Sequence, residues 1–176
     1  MKLVTYKMFT WTRRVGNKKM TIRLFQAIDQ SAVLKMMTDH HFQFPSFIRD
    51  QYPARWDSYL NMTDERISAY YVMVDEADVI IGHAGYIFQP TVNRYEIVGV
   101  VTCKSHLRQG VARTLITNIC MKIAEFGSGE VMLYTLDHEE NEVALVFYER
   151  MNFQKESIDM NYYTSGFHRL SLVKTL

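Results

Sequence analysis

Hydrophobic and polar positions change period several times along this chain, and each change marks an element. Residues 94–102 (RYEIVGVVT) are rich in β-branched side chains and read as a strand, whereas Val111, Ala112, Leu115, Ile116, Ile119, Cys120 and Ile123 recur at helical spacing. Strand gives way to helix near Gly110. The same switch follows downstream, with a strand over 130–137 (EVMLYTLD) and a helix over 141–153 (NEVALVFYERMNF). Upstream, 20–25 (MTIRLF) predicts a first strand, followed by a helix from about Asp29, an N-cap residue type, to His40. The segment 41–62, with Pro45, Pro53 and many aromatics, predicts a loop carrying a short helix at 54–60. Residues 67–74, 79–88 and 94–102 form three successive strands joined by turns at 75–78 and 90–93, an antiparallel meander. The chain closes on a hairpin, 154–163 and 167–174, turning at Ser165 and Gly166.

The first nineteen residues carry Lys2, Lys7, Arg13, Arg14, Lys18 and Lys19 and no acidic residue. Alternation over 3–11 and the Gly16-Asn17 turn signal predict an added hairpin strand; the alternative is a basic arm ahead of a domain that begins at Met20. The expected organisation is a basic extension over 1–19 and one domain over 20–176.

Length and charge narrow the class. The 176 residues suit one domain with a substantial core, and the net charge of +1 gives nucleic-acid binding no support. Cys103 and Cys120 are too few for a disulfide framework and predict reduced thiols in the cytoplasm. No apolar run is long enough to cross a membrane, and the basic N-terminus lacks the apolar core of a secretion signal. The six histidines are scattered without helical ligand spacing beside a carboxylate, so no metal site is expected.

The two strand-to-helix junctions carry the candidate chemistry. Unpaired N–H groups in the first turn of the helix after Gly110, with the positive end of its dipole, make a seat for an anion, and Arg108 and Arg113 add charge; the same residues also suit an ordinary turn. On the later helix Asn141, Ala144 and Tyr148 share a face, where the small Ala144 leaves room for a ligand between an amide and a phenol, although a tyrosine there also suits the core.

Together these segments resemble the GNAT superfamily of N-acetyltransferases, which use acetyl-CoA. The family's pyrophosphate loop, Arg/Gln-x-x-Gly-x-Gly/Ala, is matched at Gly110, Val111 and Ala112 within LRQGVARTL. Its later signature, Asn-x-x-Ala-x-x-Phe/Leu-Tyr-x-x-x-Gly-Phe, is met at Asn141, Ala144, Phe147, Tyr148 and Phe153. Leu107 departs from the usual Arg or Gln, and Asn152 from the usual Gly. The resemblance implies an α/β (α+β) single-domain fold: a mixed central sheet of about six to seven strands flanked by helices, splayed between 94–102 and 130–137.

It also implies transfer of the acetyl group of acetyl-CoA to a primary amine, on a small molecule or a protein, by direct attack in a ternary complex; the alternative is a non-catalytic acyl-CoA sensor. A lysine-like amine must lose a proton before attack, at about 4 to 5 kcal/mol near neutral pH. Glu96 resembles the family's basic glutamate in its distance before the loop, and Tyr148 is the implied acid for the departing thiolate. The expected acetyl-CoA contacts are Val100, Val101 and Thr102 on the strand, Leu107, Arg108, Gln109, Gly110, Val111, Ala112 and Arg113 on the loop, and Asn141. An oxyanion donor is implied near Val100. Phe42, Phe44, Phe47, Tyr52, Trp56, Tyr162 and Tyr163 are candidates for the acceptor side, the core or a homodimer interface. No nucleic-acid or membrane partner is expected.

Overall fold

The computed structural model describes residues 11–15, 18–62 and 64–176. Eight strands form one sheet in the order β1-β2-β3-β4-β5-β6-β8-β7. They are β1 (Trp11–Val15), β2 (Lys18–Leu24), β3 (Ser68–Val74), β4 (Ile80–Gln89), β5 (Arg94–Thr102), β6 (Glu130–Asp137), β7 (Gln154–Thr164) and β8 (Phe167–Thr175). Seven lie within two residues of the strands read from the sequence. The eighth, β1, pairs antiparallel with β2. The alternating residues 3–10 and the turn at 16–17 lie outside the described residues.

Among the described residues five α-helices complete the fold: α1 (Gln30–Asp39), α2 (Ser46–Arg49), α3 (Tyr52–Leu60), α4 (Val111–Glu125) and α5 (Glu142–Arg150). The single turn α2 falls where the sequence predicts a loop. Asp29 does not cap α1 with its side chain; it takes two hydrogen bonds from the Arg23 guanidinium, at 2.7 and 2.9 Å, and one from the Gln26 backbone N–H.

Helices on both faces divide the core in two. The apolar stripe of α4 (Val111, Leu115, Ile116, Ile119, Ile123) packs on Ile81, Tyr86, Ile97, Val131 and Leu133. On the opposite face Val33, Met36 and Met37 of α1 and Trp56 of α3 cover Tyr70, Val72, Val98 and Val101. Burial from both sides explains why β3 reads SAYYVMV, apolar in nearly every position and buried throughout. Gly82 sets how closely α4 approaches: a Cβ there would collide with the side chain of Val111, the first residue of that helix.

All strand pairs are antiparallel except β5 and β6, joined by the α4 crossover. That parallel pairing is short. It runs from Tyr95↔Val131 to Ile97↔Leu133 and stops, although β5 continues to Thr102 and β6 to Asp137. Its closed end is pinned by Arg94, whose guanidinium bridges Glu130 at 2.5 Å and Glu156 at 2.8 Å. Beyond Ile97 the strands diverge, because β5 bulges: Gly99 and Val100 lie between the partners of His83 and Gly85, where β4 has only Ala84. Gly99 adopts φ +64°, the left-handed first position of a glycine bulge. The extra residue shows in the packing, since Val98 and Val101, three apart, both enter the same core.

A buried polar chain underlies the bulge. Trp56 Nε1–H donates to His83 Nε2 at 3.2 Å, which places the imidazole proton on Nδ1, where it donates to the Gly99 carbonyl at 2.7 Å. Burial holds His83 neutral, with its pKa pushed down to about 4. The unfolded chain titrates this group near 6.5, so between the two values it takes up a proton that the fold refuses. The His83 contribution to stability is therefore level above about 6.5 and falls as pH drops toward 4, by about 3 kcal/mol across the window. Urea melts of wild type and His83→Phe at pH 7 and 4.5 should show the steeper loss in wild type; equal losses would show that His83 carries no such linkage.

Candidate active site

The divergence of β5 from β6 opens a cavity of about 1190 Å³ that crosses the sheet between the α1–α3 layer and α4–α5. One end meets the start of α4. Gly110 precedes that helix with φ +81°, a left-handed conformation that glycine takes without strain, and no side chain caps the helix. The first-turn N–H groups of Val111, Ala112 and Arg113 have no intrahelical acceptor, and these residues line the cavity with Arg108 and Gly110. Such a terminus suits a pyrophosphate. Leu107 reaches the wall as well, half exposed. Gln109 is not among the residues that line the cavity; its side-chain amide turns back to the Ser105 carbonyl at 3.2 Å.

The middle of the cavity is walled by β5 on one side and α5 on the other. Val100, Val101 and Thr102 line it, and the Thr102 carbonyl accepts a hydrogen bond from His40 Nε2 at 2.8 Å. Asn141, the N-cap of α5, lines the cavity with them. Its Nδ2 donates to Thr135 Oγ1 and to the Leu136 carbonyl, at 2.8 and 2.7 Å, which fixes the amide plane. Its Oδ1 is buried in the cavity wall with no hydrogen-bond partner among the described residues. A buried acceptor left unpaired costs about 1–3 kcal/mol, so an N–H from a ligand is the natural complement. One cavity thus offers an anion seat at one end and an unpaired amide acceptor in its wall.

Glu96 and Tyr148 converge on the same space. Glu96 is 6% exposed and shares a face of β5 with Val98; Gln89 Nε2 donates to its Oε2 at 2.6 Å. Burial raises its pKa above the ordinary carboxylate value, with Gln89, Arg55 and Arg169 pulling back. Tyr148 packs edge-on to Phe153, its ring 5.8 Å away, and its hydroxyl bonds no described residue. Burial raises this phenol too, keeping it protonated at neutral pH. Ala144 lies in the cavity wall between Asn141 and Tyr148, as their common helix face predicts.

The aromatic candidates divide. Phe44, Tyr52, Tyr162 and Tyr163 line the cavity. Trp56 is core, Phe42 is half exposed beside His41, and Phe47 stacks under Tyr163 at 5.3 Å. Sequence reasoning missed Gln89, Tyr134, Arg55, Arg169 and His83. None of the five carries a local signal, because each is brought to the site or the bulge by contacts between distant segments.

Comparison with known proteins agrees with this geometry. The sequence model of the acetyltransferase (GNAT) family matches residues 33–153. No curated protein sequence gives a match. Among solved structures, a protein assigned to the GNAT acetyltransferases of Desulfovibrio desulfuricans superposes with a TM-score of 0.78 at 17% identity, covering 89% of this chain and 98% of the other. An aminoglycoside 6'-N-acetyltransferase in complex with coenzyme A superposes at 0.67 with 16% identity, covering 88% and 96%. A variant of the spermidine N-acetyltransferase of Vibrio cholerae gives 0.66 at 16% identity, covering 89% and 93%. These likenesses carry the fold; the family match extends from α1 through the whole anion loop to Phe153. With the splayed sheet, the glycine-headed helix and the sequence match in agreement, the chain belongs to the GNAT acetyltransferase family and is an acyltransferase.

Proposed function

We propose that the protein transfers the acetyl group of acetyl-CoA to a primary amine by direct attack, with both substrates in the cavity between β5 and β6. One observation carries the reading: Glu96 and Tyr148, from different layers, line the cavity that also holds the Gly110 anion seat. The sensor alternative, which predicts coenzyme A binding with no turnover, would gain if the two side chains turned away from the cleft; that both line it supports catalysis instead.

The α4 amides and Arg108 or Arg113 hold the pyrophosphate, and Asn141 Oδ1 accepts from the pantetheine arm. Because Leu107 offers no polar group, backbone N–H groups supply most of the loop's grip. The acceptor amine arrives protonated and gives its proton to Glu96, directly or through a water; the raised pKa brings that carboxylate closer to the working pH. The unladdered N–H at Val100 stabilises the oxyanion that forms when the amine attacks. Tyr148 then protonates the departing thiolate. The burial that raises the phenol also raises the proton affinity of a thiolate released beside it, so donor and acceptor remain matched. No covalent enzyme intermediate is needed, and Cys103, in contact with Ser105 at 3.3 Å, takes no part. The two free thiols, Cys103 and Cys120, are consistent with a reducing, cytoplasmic setting. Among the described residues no helix is long and apolar enough to cross a membrane.

A panel of primary amines assayed by thiol release from acetyl-CoA tests the activity; Tyr148→Phe should lower kcat by about 10²- to 10⁴-fold while coenzyme A affinity changes little. Retention of full kcat in that variant would remove the tyrosine from the chemistry. For Glu96, kcat/KM should decline as pH falls through its raised pKa, since the protonated acid accepts nothing, and Glu96→Gln should be slow and lack that limb; a persisting limb would assign the titration to another group. Replacing Gly110 by Val forces a β-branched residue into a left-handed conformation, and calorimetric coenzyme A affinity should fall at least about tenfold. Unchanged affinity would defeat the loop assignment.

A further inference from the structure

The acceptor half of the cavity has an unusual charge balance for a site that must admit an ammonium ion. Its wall is formed by Ile48, Tyr52 and Arg55 from the helical layer, Gln89 and Glu96 from the sheet, and Tyr134, Tyr163 and Arg169 around the open edge. Glu96 is the acid among these residues, against two guanidiniums. Arg169 is committed: Nε and Nη2 both donate to Asp159 Oδ2, at 3.0 and 2.8 Å, and the group is sandwiched between the rings of Tyr134 and Tyr162 at 4.2 and 3.6 Å.

Arg55 is not committed. It lies over the Tyr52 ring at 5.3 Å and donates through Nη2 to Gln51 Oε1 at 3.0 Å, leaving Nε and Nη1 without a partner among the described residues. No carboxylate among the described residues pairs with it. Its charge nevertheless reaches Glu96, Tyr52 and Tyr163, which places it in the same electrostatic neighbourhood as the base without an ion pair between them. A guanidinium half buried, held from below by an aromatic face and aimed into a cavity with open donors, fits a planar oxyanion in two-pronged fashion. The unpaired charge of Arg55 also disfavours a polycation.

Resting on the acetyl-transfer reading, we infer that the acceptor is a small amine that also carries a carboxylate or a like oxyanion, which pairs with Arg55 while the amine meets Glu96. Arg55 then discriminates through binding, because an acceptor lacking the anion leaves the guanidinium unsatisfied in the filled cavity. Polyamines and simple alkylamines are the disfavoured acceptors.

The test compares matched acceptors in the thiol-release assay: free amino acids, their primary amides, their decarboxylated amines, their aminophosphonate analogues, and spermidine. The acid should exceed its amide in kcat/KM by about ten- to a hundredfold, chiefly through KM, and Arg55→Gln should collapse that ratio; coenzyme A affinity reports that the variant is folded. Preference for the phosphonate over the carboxylate would identify the oxyanion without changing the inference. Equal kcat/KM for acid and amide, or preference for spermidine, would overturn the anion seat and leave acetyl transfer standing. Thiol release with no amine would instead overturn the transfer reading. Calorimetry with coenzyme A present then decides the seat alone: N-acetyl amino acids should bind at least about tenfold tighter than their N-acetyl amides, and equal binding would refute it.

Discussion

One glycine sets the geometry on which the rest of this protein depends. Sheet pairing between β5 and β6 would, if continued, close the space that the family uses for its chemistry. The bulge at Gly99 prevents this by placing two residues of β5 against one of β4, which bends the strand and ends its parallel partnership at Ile97. No other residue type suits the position: φ is +64°, and a Cβ would come within 2.8 Å of ring atoms in both His83 and Tyr52. The carbonyl is held in turn by His83, itself held by Trp56. A fully apolar core would offer that carbonyl nothing, so a buried polar chain is the cost of keeping the bulge in one conformation.

Burial also governs the electrostatics of the cleft. His83 is kept neutral, Glu96 is drawn toward protonation and the phenol of Tyr148 away from ionisation, all chiefly by desolvation. Free charge is left to the guanidiniums, which stay ionised in any such environment. The cavity thus holds groups able to exchange protons at its centre and fixed positive charge toward both ends, at Arg108 and Arg113 on one side and Arg55 on the other.

Most of the framework was legible because it rests on local pattern. The period change at Gly110 and the apolar stripe from Val111 to Ile123 define α4 without knowledge of its partners, and the β-branched run through Val101 defines β5. The face shared by Asn141, Ala144 and Tyr148 follows from helical spacing alone. What escaped depends on contacts between distant segments. His83 and Trp56 are 27 positions apart, and nothing local in either marks the chain of bonds they form beneath the bulge. Arg55 looks like any solvent-facing helical arginine until the fold withholds a carboxylate from it. Asp29 failed as a cap for the same reason, since Arg23 on the preceding strand claims its oxygens. The one-turn helix α2 is too short to establish a period.

Arg94 gives the cleft a mechanical character. By tying the first residue of β5 to Glu130 and Glu156, it makes the closed end of the V a fulcrum, with Ile97 and Leu133 as the last coupled pair. Asp137, four residues beyond Leu133, stands about 13 Å from that pivot. The Arg94 ion pairs therefore fix the closed end of the V only two residues before Glu96 on the same strand, so the splay of the cleft and the placing of that carboxylate share one anchor.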